Sequence, residues 1–198
     1  MTIAVLKKLC AAIPWCDPAV LEQTVELALE IAREGREGRR IGTLFTLGKA
    51  EAVLAASRPL ILDPLAAHAP ARTHITDPNL RGTIKELAQL DGAFVVSDTG
   101  TVVAACRYLD ASVEQIDLPL GLGSRHLAAA SISQRLGTLA IVVSESGVVR
   151  VFHRGEIEAT LIPELWLLDR HHAQLSGRGV DAEARSVEVL TVERGRHG

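Results

Sequence analysis

Leu139-Ala-Ile-Val-Val143 is an unbroken β-prone run. Ser144-Glu-Ser-Gly147 turns the chain, and Val148 to His153 returns. A second pair lies upstream: Phe94 to Ser97, a turn at Ser97-Asp-Thr-Gly100, then Thr101 to Leu109. Tight turns between strands impose antiparallel pairing. Arg154-Gly155 turns again, and Ile157 to Ile162 reads as a further edge strand. Helical patterns separate these hairpins, so the fold class is α/β with a mixed central sheet flanked by helices, not a purely parallel one.

The helices announce themselves by spacing and by caps. Asp17-Pro18 is an N-cap followed by proline in the first turn. Apolar residues at Val20, Leu21, Val25, Ala28, Leu29 and Ala32 then share one face, opposite Glu22, Glu26, Glu30 and Arg33. Asn79 to Leu90 repeats the pattern with Leu80, Ile84, Leu87 and Ala88. Ile41 to Leu47 reads as a buried strand closed by Gly48, and Lys49 to Ser57 as a short helix. Gly35 to Arg40 is expected as a solvated charged loop, and Arg58 to Asp77 as irregular chain with three prolines. His68 and His74 in that stretch lack partners at metal-ligand spacing and read as loop histidines. The divisions expected are an N-terminal segment 1–19, one main domain 20–170, and a C-terminal extension 171–198. The extension should carry a helix from Glu164 to Gln174 across its start, a late strand Val187 to Val192 and a frayed end, Arg194 to Gly198.

With 47% hydrophobic and only 3% aromatic residues, the core must be built from Leu, Val, Ile and Ala. A net charge of −3 without a basic block speaks against nucleic-acid binding. Three cysteines, Cys10, Cys16 and Cys106, show no C-x-x-C spacing and suit a reducing, cytoplasmic setting. Cys106 reads as a small buried hydrophobe, and Cys10 and Cys16 are close enough in sequence to pair. No apolar run reaches membrane-spanning length.

Gly121-Leu-Gly-Ser-Arg-His-Leu-Ala-Ala-Ala130 brings a hydroxyl, a guanidinium and an imidazole together after a glycine turn. A helix opening here, through Leu127 to Ile132 and ended by Gly137, would offer free N–H groups and a positive dipole end to an anion. Arginine adds a forked phosphate grip. One reading is therefore a phosphate cradle. The other is an ordinary helix start with Ser124 as N-cap, Arg125 solvated and His126 packed.

A carboxylate stands directly before a glycine and an apolar strand at Asp91-Gly92-Ala93. That triplet, followed by a hairpin and then Ser124-Arg125-His126-Leu127, resembles the diadenylate cyclase (DAC) family. Its nucleotide-binding domain also occurs in DNA-integrity-scanning proteins, and its signatures are Asp-Gly-Ala and Thr-Arg-His-Arg. The resemblance runs from about Ile41 to about Pro163. It implies a mixed sheet flanked by helices, and condensation of two ATP molecules into cyclic di-AMP with release of pyrophosphate. On that likeness Asp91, Arg125 and His126 are catalytic, and Asp91 holds Mg²⁺ or Mn²⁺. Gly92, Ala93, Gly123 and Ser124 border the nucleotide, and Gly92 lets it approach the backbone. Ser144 and Glu145 match a family Ser-Glu after the same strand, with a polar turn as the alternative. Tyr108 and Leu109 fall where relatives contact adenine. The likeness also implies self-association, as a dimer or higher even oligomer, because one site holds one ATP. Many relatives carry membrane helices ahead of the cyclase; this chain shows none, which implies a cytoplasmic form without membrane contact.

Two departures bear on activity. Leu90 stands where some relatives have a metal-reaching histidine. Leu127 replaces the box's second arginine. Either Leu127 faces the core, as the following Ala128-Ala-Ala130 suggests, while Arg107 or Arg150 supplies the cation, or the site has lost phosphate affinity. Two other functions stay open: a nucleotide-binding sensor without turnover, and a nucleotidyltransferase with another substrate.

Overall fold

Asp17 starts the first long helix, α1 (Pro18–Glu34), as its cap: its Oδ1 accepts from Ala19 N at 2.8 Å, with Pro18 in the first turn. Strand β1 (Thr43–Leu47) and helix α2 (Ala50–Ala55) follow, then a short strand β2 (Ser57–Pro59). Helix α3 (Pro78–Leu87) repeats the Asp-Pro start, Asp77 Oδ1 accepting from Asn79 N at 2.8 Å. The hairpin β3 (Ala93–Val96) and β4 (Val102–Leu109) leads to α4 (Ser124–Leu136), and β5 (Leu139–Val143), β6 (Val149–His153) and β7 (Glu156–Leu161) finish the meander. This is a computed structural model, and it describes residues 8–11, 13–110, 116 and 118–168.

The seven strands form one sheet in the order β2-β4-β3-β1-β5-β6-β7. Only β1 and β3 run parallel; each other neighbouring pair is antiparallel. The expected mixed sheet with helices on its faces is therefore observed. β1, β3 and β5 are buried along their whole length, as central strands covered on both faces must be. Their side chains alternate between two apolar layers. Phe45, Leu47, Phe94, Val96, Leu139, Ile141 and Val143 pack with α1 and with Leu80 and Ile84 of α3. Leu44, Ala93, Val95, Ala140 and Val142 pack with Val53 of α2 and with Ala129, Ala130 and Ile132 of α4. Phe45 and Phe94 stack across the parallel pair with ring centroids 5.1 Å apart.

Three expectations need correction. Arg58 to Asp77 is not wholly irregular: residues 57–59 pair with β4 and form the sheet edge, and Pro70–Arg72 makes a single tight turn. The pairing depends on β4, fifty residues away, so no local pattern marks it. The charged loop before β1 is not merely solvated: Arg36 pairs with Glu86 and Arg40 donates to Ser146 O at 3.1 Å. Helix α4 starts at Ser124, earlier than Leu127. Its cap is Gly123, with no side-chain cap bond, so Ser124 is not the N-cap. Its end is as expected, Gly137 taking the left-handed conformation.

His74 is a loop residue that ties its segment to the β3–β4 turn, Nε2 lying 2.8 Å from Thr99 O and Nδ1 2.7 Å from Thr76 Oγ1. All three cysteines are free, so Cys10 and Cys16 do not pair. Burial pushes the Cys16 thiol up to about 12, which makes it a packing group. Residues 163–168 are helical, with Trp166 buried. The rest of the helix expected to Gln174, the extension 171–198, its strand and its frayed end lie outside the described residues.

Candidate functional site

The register of the sheet decides where the chemistry gathers. Leu44 pairs with Ala93, Thr43 with Val143, and Ala93 with Arg107. The starts of β1 and β3 and the ends of β4 and β5 therefore share one end of the sheet. Asp91-Gly92-Ala93, Tyr108-Leu109 and Ser144-Glu145 all arrive there by topology. Helix α4 brings its first turn to the same end: Arg125 Nη2 lies 3.3 Å from Asp91 Oδ1, and Arg125 Nη1 donates to Glu145 Oε1 at 2.9 Å. One guanidinium thus joins three segments far apart in sequence. The carboxylates face outward, with Asp91 86% and Glu145 66% exposed, while Arg125 is 36% exposed.

Gly42 makes room for this contact and escaped the sequence reading. A Cβ there would sit 2.6 Å from Arg125 Nη1 and 3.2 Å from Glu145 Cγ. The signal was a glycine immediately before a buried strand, which is common enough to pass unremarked.

His126 turns inward. It is buried, its ring packs edge-on against Phe152, and its Nε2 lies 3.2 Å from Arg150 Nη1. Arginine only donates, so Nε2 is the acceptor and the ring proton sits on Nδ1. Burial, then the nearby Arg150 and Arg125 charges, hold the imidazole below its ordinary pKa, so it is neutral at pH 7.

The remaining expected residues divide by environment. Gly123 and Ser124 are exposed at the opening of α4. Ser144 Oγ accepts from Ser146 N at 3.2 Å and shapes the turn that carries Glu145. Gly92 has φ +108°, and an added Cβ would meet the Cys106 and Arg107 backbone at 2.6–2.8 Å. Its close approach is thus to β4, not only to a ligand as the sequence reading had it. Ala93 and Leu109 are buried in the layer beneath α4. Tyr108 is 45% exposed, and the Arg58 guanidinium stacks 4.5 Å from its ring centroid; no contact joins it to Asp91 or Arg125 among the described residues.

Leu127 overturns the core expectation: it is 44% exposed in the first turn of α4. Arg107 is also removed as its substitute cation, since its guanidinium is spent on Leu54 O, Ser57 O and Ser57 Oγ.

Asp91 and Glu145 are hard oxygen donors reaching the same cationic group. That set fits a Mg²⁺- or Mn²⁺-like ion, which takes one or two carboxylates and completes its shell from phosphate and water. No cluster of three or more His, Cys, Asp or Glu suited to a metal occurs among the described residues. Leu90, half-exposed beside Asp91, adds no ligand.

A mixed sheet with opposed charges gathered at the strand ends, beside a helix start without a side-chain cap, defines an α/β domain with a charged cluster at one end of its sheet. The family model described as DisA bacterial checkpoint controller nucleotide-binding (DAC) matches residues 30–157, and the chain belongs to that family. A curated diadenylate cyclase from Methanocaldococcus jannaschii is 49% identical over 138 residues, covering 69% of this chain and 43% of that protein. One from Haloferax volcanii is 40% identical over 151 residues, covering 76% and 55%. The chain thus spans about half the length of these curated relatives. Among solved structures, DacA from Staphylococcus aureus covers 77% of this chain at 21% identity with a TM-score of 0.46. A hypothetical membrane-spanning protein from Bacillus cereus covers 70% at 22% identity with a TM-score of 0.49. No helix among the described residues is long and apolar enough to cross a membrane.

Proposed function

We propose that this domain is a diadenylate cyclase, condensing two ATP molecules into cyclic di-AMP. The observation that carries the reading is the 3.3 Å contact between Arg125 and Asp91, 34 residues apart. It joins the two family motifs into one charged site. Family membership and the names of the archaeal relatives support it.

In each half-reaction a 3′-hydroxyl oxygen bonds to the other nucleotide's α-phosphorus. The bond from that phosphorus to the bridging oxygen breaks, pyrophosphate leaves with the electron pair, and the hydroxyl proton passes to the Asp91 carboxylate or to water. Asp91 lies at the exposed rim of the site and takes part in activating that hydroxyl. Arg125 pairs with two carboxylates, Asp91 and Glu145. On nucleotide binding it exchanges carboxylate oxygens for phosphate oxygens and offsets charge on the departing pyrophosphate. His126, neutral with its proton on Nδ1, serves as a hydrogen-bond donor. Asp91 and Glu145 would hold Mg²⁺ or Mn²⁺, which when bound supplies Lewis-acid polarisation of phosphate oxygens. One domain carries one such site, so turnover requires two domains face to face.

A second reading, nucleotide binding without turnover, is favoured by one observation: exposed Leu127 supplies no cation where the family box has arginine. Incubation with ATP and Mn²⁺ followed by mass spectrometry separates the two. Cyclic di-AMP is the expected product. Asp91→Asn, which keeps shape and removes charge, should lower its formation by about a hundredfold or more with an unchanged melt. Undiminished turnover in that variant would remove Asp91 from the mechanism.

A further inference from the structure

We propose that Arg150 is a phosphate-gripping cation of this site, supplying the charge that the Ser124-Arg125-His126-Leu127 box lacks at its last position. The inference rests on the nucleotide reading above and assigns a further residue to it.

Position comes first. Arg150 lies in β6, paired with Val142 of β5 and Thr160 of β7. Val142 is two residues before Ser144, so Arg150 stands near the end of the sheet where Asp91, Glu145 and the first turn of α4 meet. Its side chain lies on the α4 side, as the 3.2 Å separation from His126 Nε2 shows.

Charge balance comes second. Among the described residues the other half-buried arginines are answered: Arg81 has a glutamate, Arg125 has two carboxylates, and Arg107 has two carbonyls and a hydroxyl. Arg150 is half-buried, and among the described residues its hydrogen-bond partner is the neutral imidazole of His126, with no carboxylate beside it. Burial alone depresses its pKa, with no anion acting in the opposite sense. Guanidinium carries five N–H donors and stays protonated, so most of its capacity is unfilled. A partly desolvated cation without a counter-charge costs free energy. An incoming anion would relieve that cost. Arg125, two helical positions from Leu127, faces the carboxylates, whereas Arg150, donating to His126 Nε2 of the same helix turn, is a second cation without a counter-charge. Two forked cations at one helix start suit an oligophosphate chain rather than a base or a sugar.

Leu127 sharpens the point. Its 44% exposure shows that no core requirement excludes a charged residue there. A leucine is tolerable at that position when the cation arrives instead from the adjoining strand.

The test is equilibrium binding of 3′-deoxy-ATP with Mg²⁺, which cannot turn over because it lacks the attacking hydroxyl, set beside 3′-deoxyadenosine. Arg150→Met should weaken the triphosphate by about ten- to a hundredfold, the loss expected for a charged hydrogen bond, and leave the nucleoside unchanged. Arg150→Lys should lose less, since it keeps charge but not the fork. Triphosphate binding by Arg150→Met within twofold of the parent overturns the proposal. So does an equal loss for triphosphate and nucleoside, which would mark a structural role. If Arg150→Met does not fold, Arg150→Lys decides: a several-fold loss confined to the triphosphate supports the assignment, and no loss or an equal loss in both overturns it. If the parent chain itself fails to bind 3′-deoxy-ATP, the nucleotide reading falls, and this inference with it.

Discussion

Arg125 holds the candidate site together, and Gly42 decides whether it can. The clash a Cβ at Gly42 would create is with the tip of the Arg125 side chain and with Glu145, not with backbone. A long side chain can swing aside at small cost, so Gly42→Ala should leave the fold intact. The guanidinium would then be pushed from the place where it meets Asp91 and Glu145. A misplacement near 1 Å at a reacting centre costs about a hundredfold in rate. We expect Gly42→Ala to melt within a few degrees of the parent and to form product about ten- to a hundredfold more slowly. Full activity would show that Arg125 does not act from its observed position. At this scale the sequence was legible where a residue belongs to a motif: Asp91, Arg125 and Glu145 were all named before any contact was known. Gly42 was not, and His126 and Arg150 were named without the contact that joins them, because each owes its role to a neighbour on another strand or helix. Leu127 was misjudged for a related reason. Three following alanines show that a helix packs closely, but not which side of its first turn faces out.

At the scale of elements, the entry into β3 carries more constraint than its four residues suggest. Gly92 sits at φ +108° directly against the backbone of β4, where Cys106 itself takes a positive φ of 53°. The β3–β4 register shifts between Ala93 and Val95 at the same place. The bulge and the glycine form one device: the extra residue in β4 bends its backbone toward Gly92, and only a residue without Cβ leaves room. Gly92→Ala therefore adds backbone strain and a contact that no rotamer change relieves. We expect a loss of at least about 2 kcal/mol in denaturant unfolding, in contrast to the near-neutral Gly42→Ala. An unfolding midpoint equal to that of the parent would mean that β4 yields easily there. The Asp-Gly-Ala motif thus has two physical demands, a carboxylate for the site and a glycine for the sheet. Helices α1 and α3 were readable to within a few residues because Asp-Pro caps and a strong apolar face are local signals. β2 was hidden because an edge strand of three residues exists only through its partner.

For the whole molecule, the open question is how two nucleotides meet. The proposed condensation needs each 3′-hydroxyl beside the other nucleotide's α-phosphorus, and this domain gathers one set of charged residues at one end of one sheet. That set is not roofed by the described part of the chain: Asp91 and Glu145 are largely exposed, and Leu120 before α4 is fully so. An outward-facing site can be completed by a second domain in the same way, and a two-fold axis lets both hydroxyls be in place at once. If that pairing is weak, product formation per protomer should rise with protein concentration, approaching a second-power dependence of total rate at high dilution and a linear one when pairing saturates. If it is strong, light scattering should show a dimer or a larger even assembly, and the specific activity should stay constant until dilution breaks it. Mixing Asp91→Asn with the parent chain adds a second readout. In a shared reaction the inactive partner spoils mixed pairs, so activity should fall below the fraction of parent chains present. A strict monomer that keeps full specific activity at nanomolar dilution, and loses activity only in proportion to the inactive chain added, would refute facing sites and require both nucleotides to bind one domain.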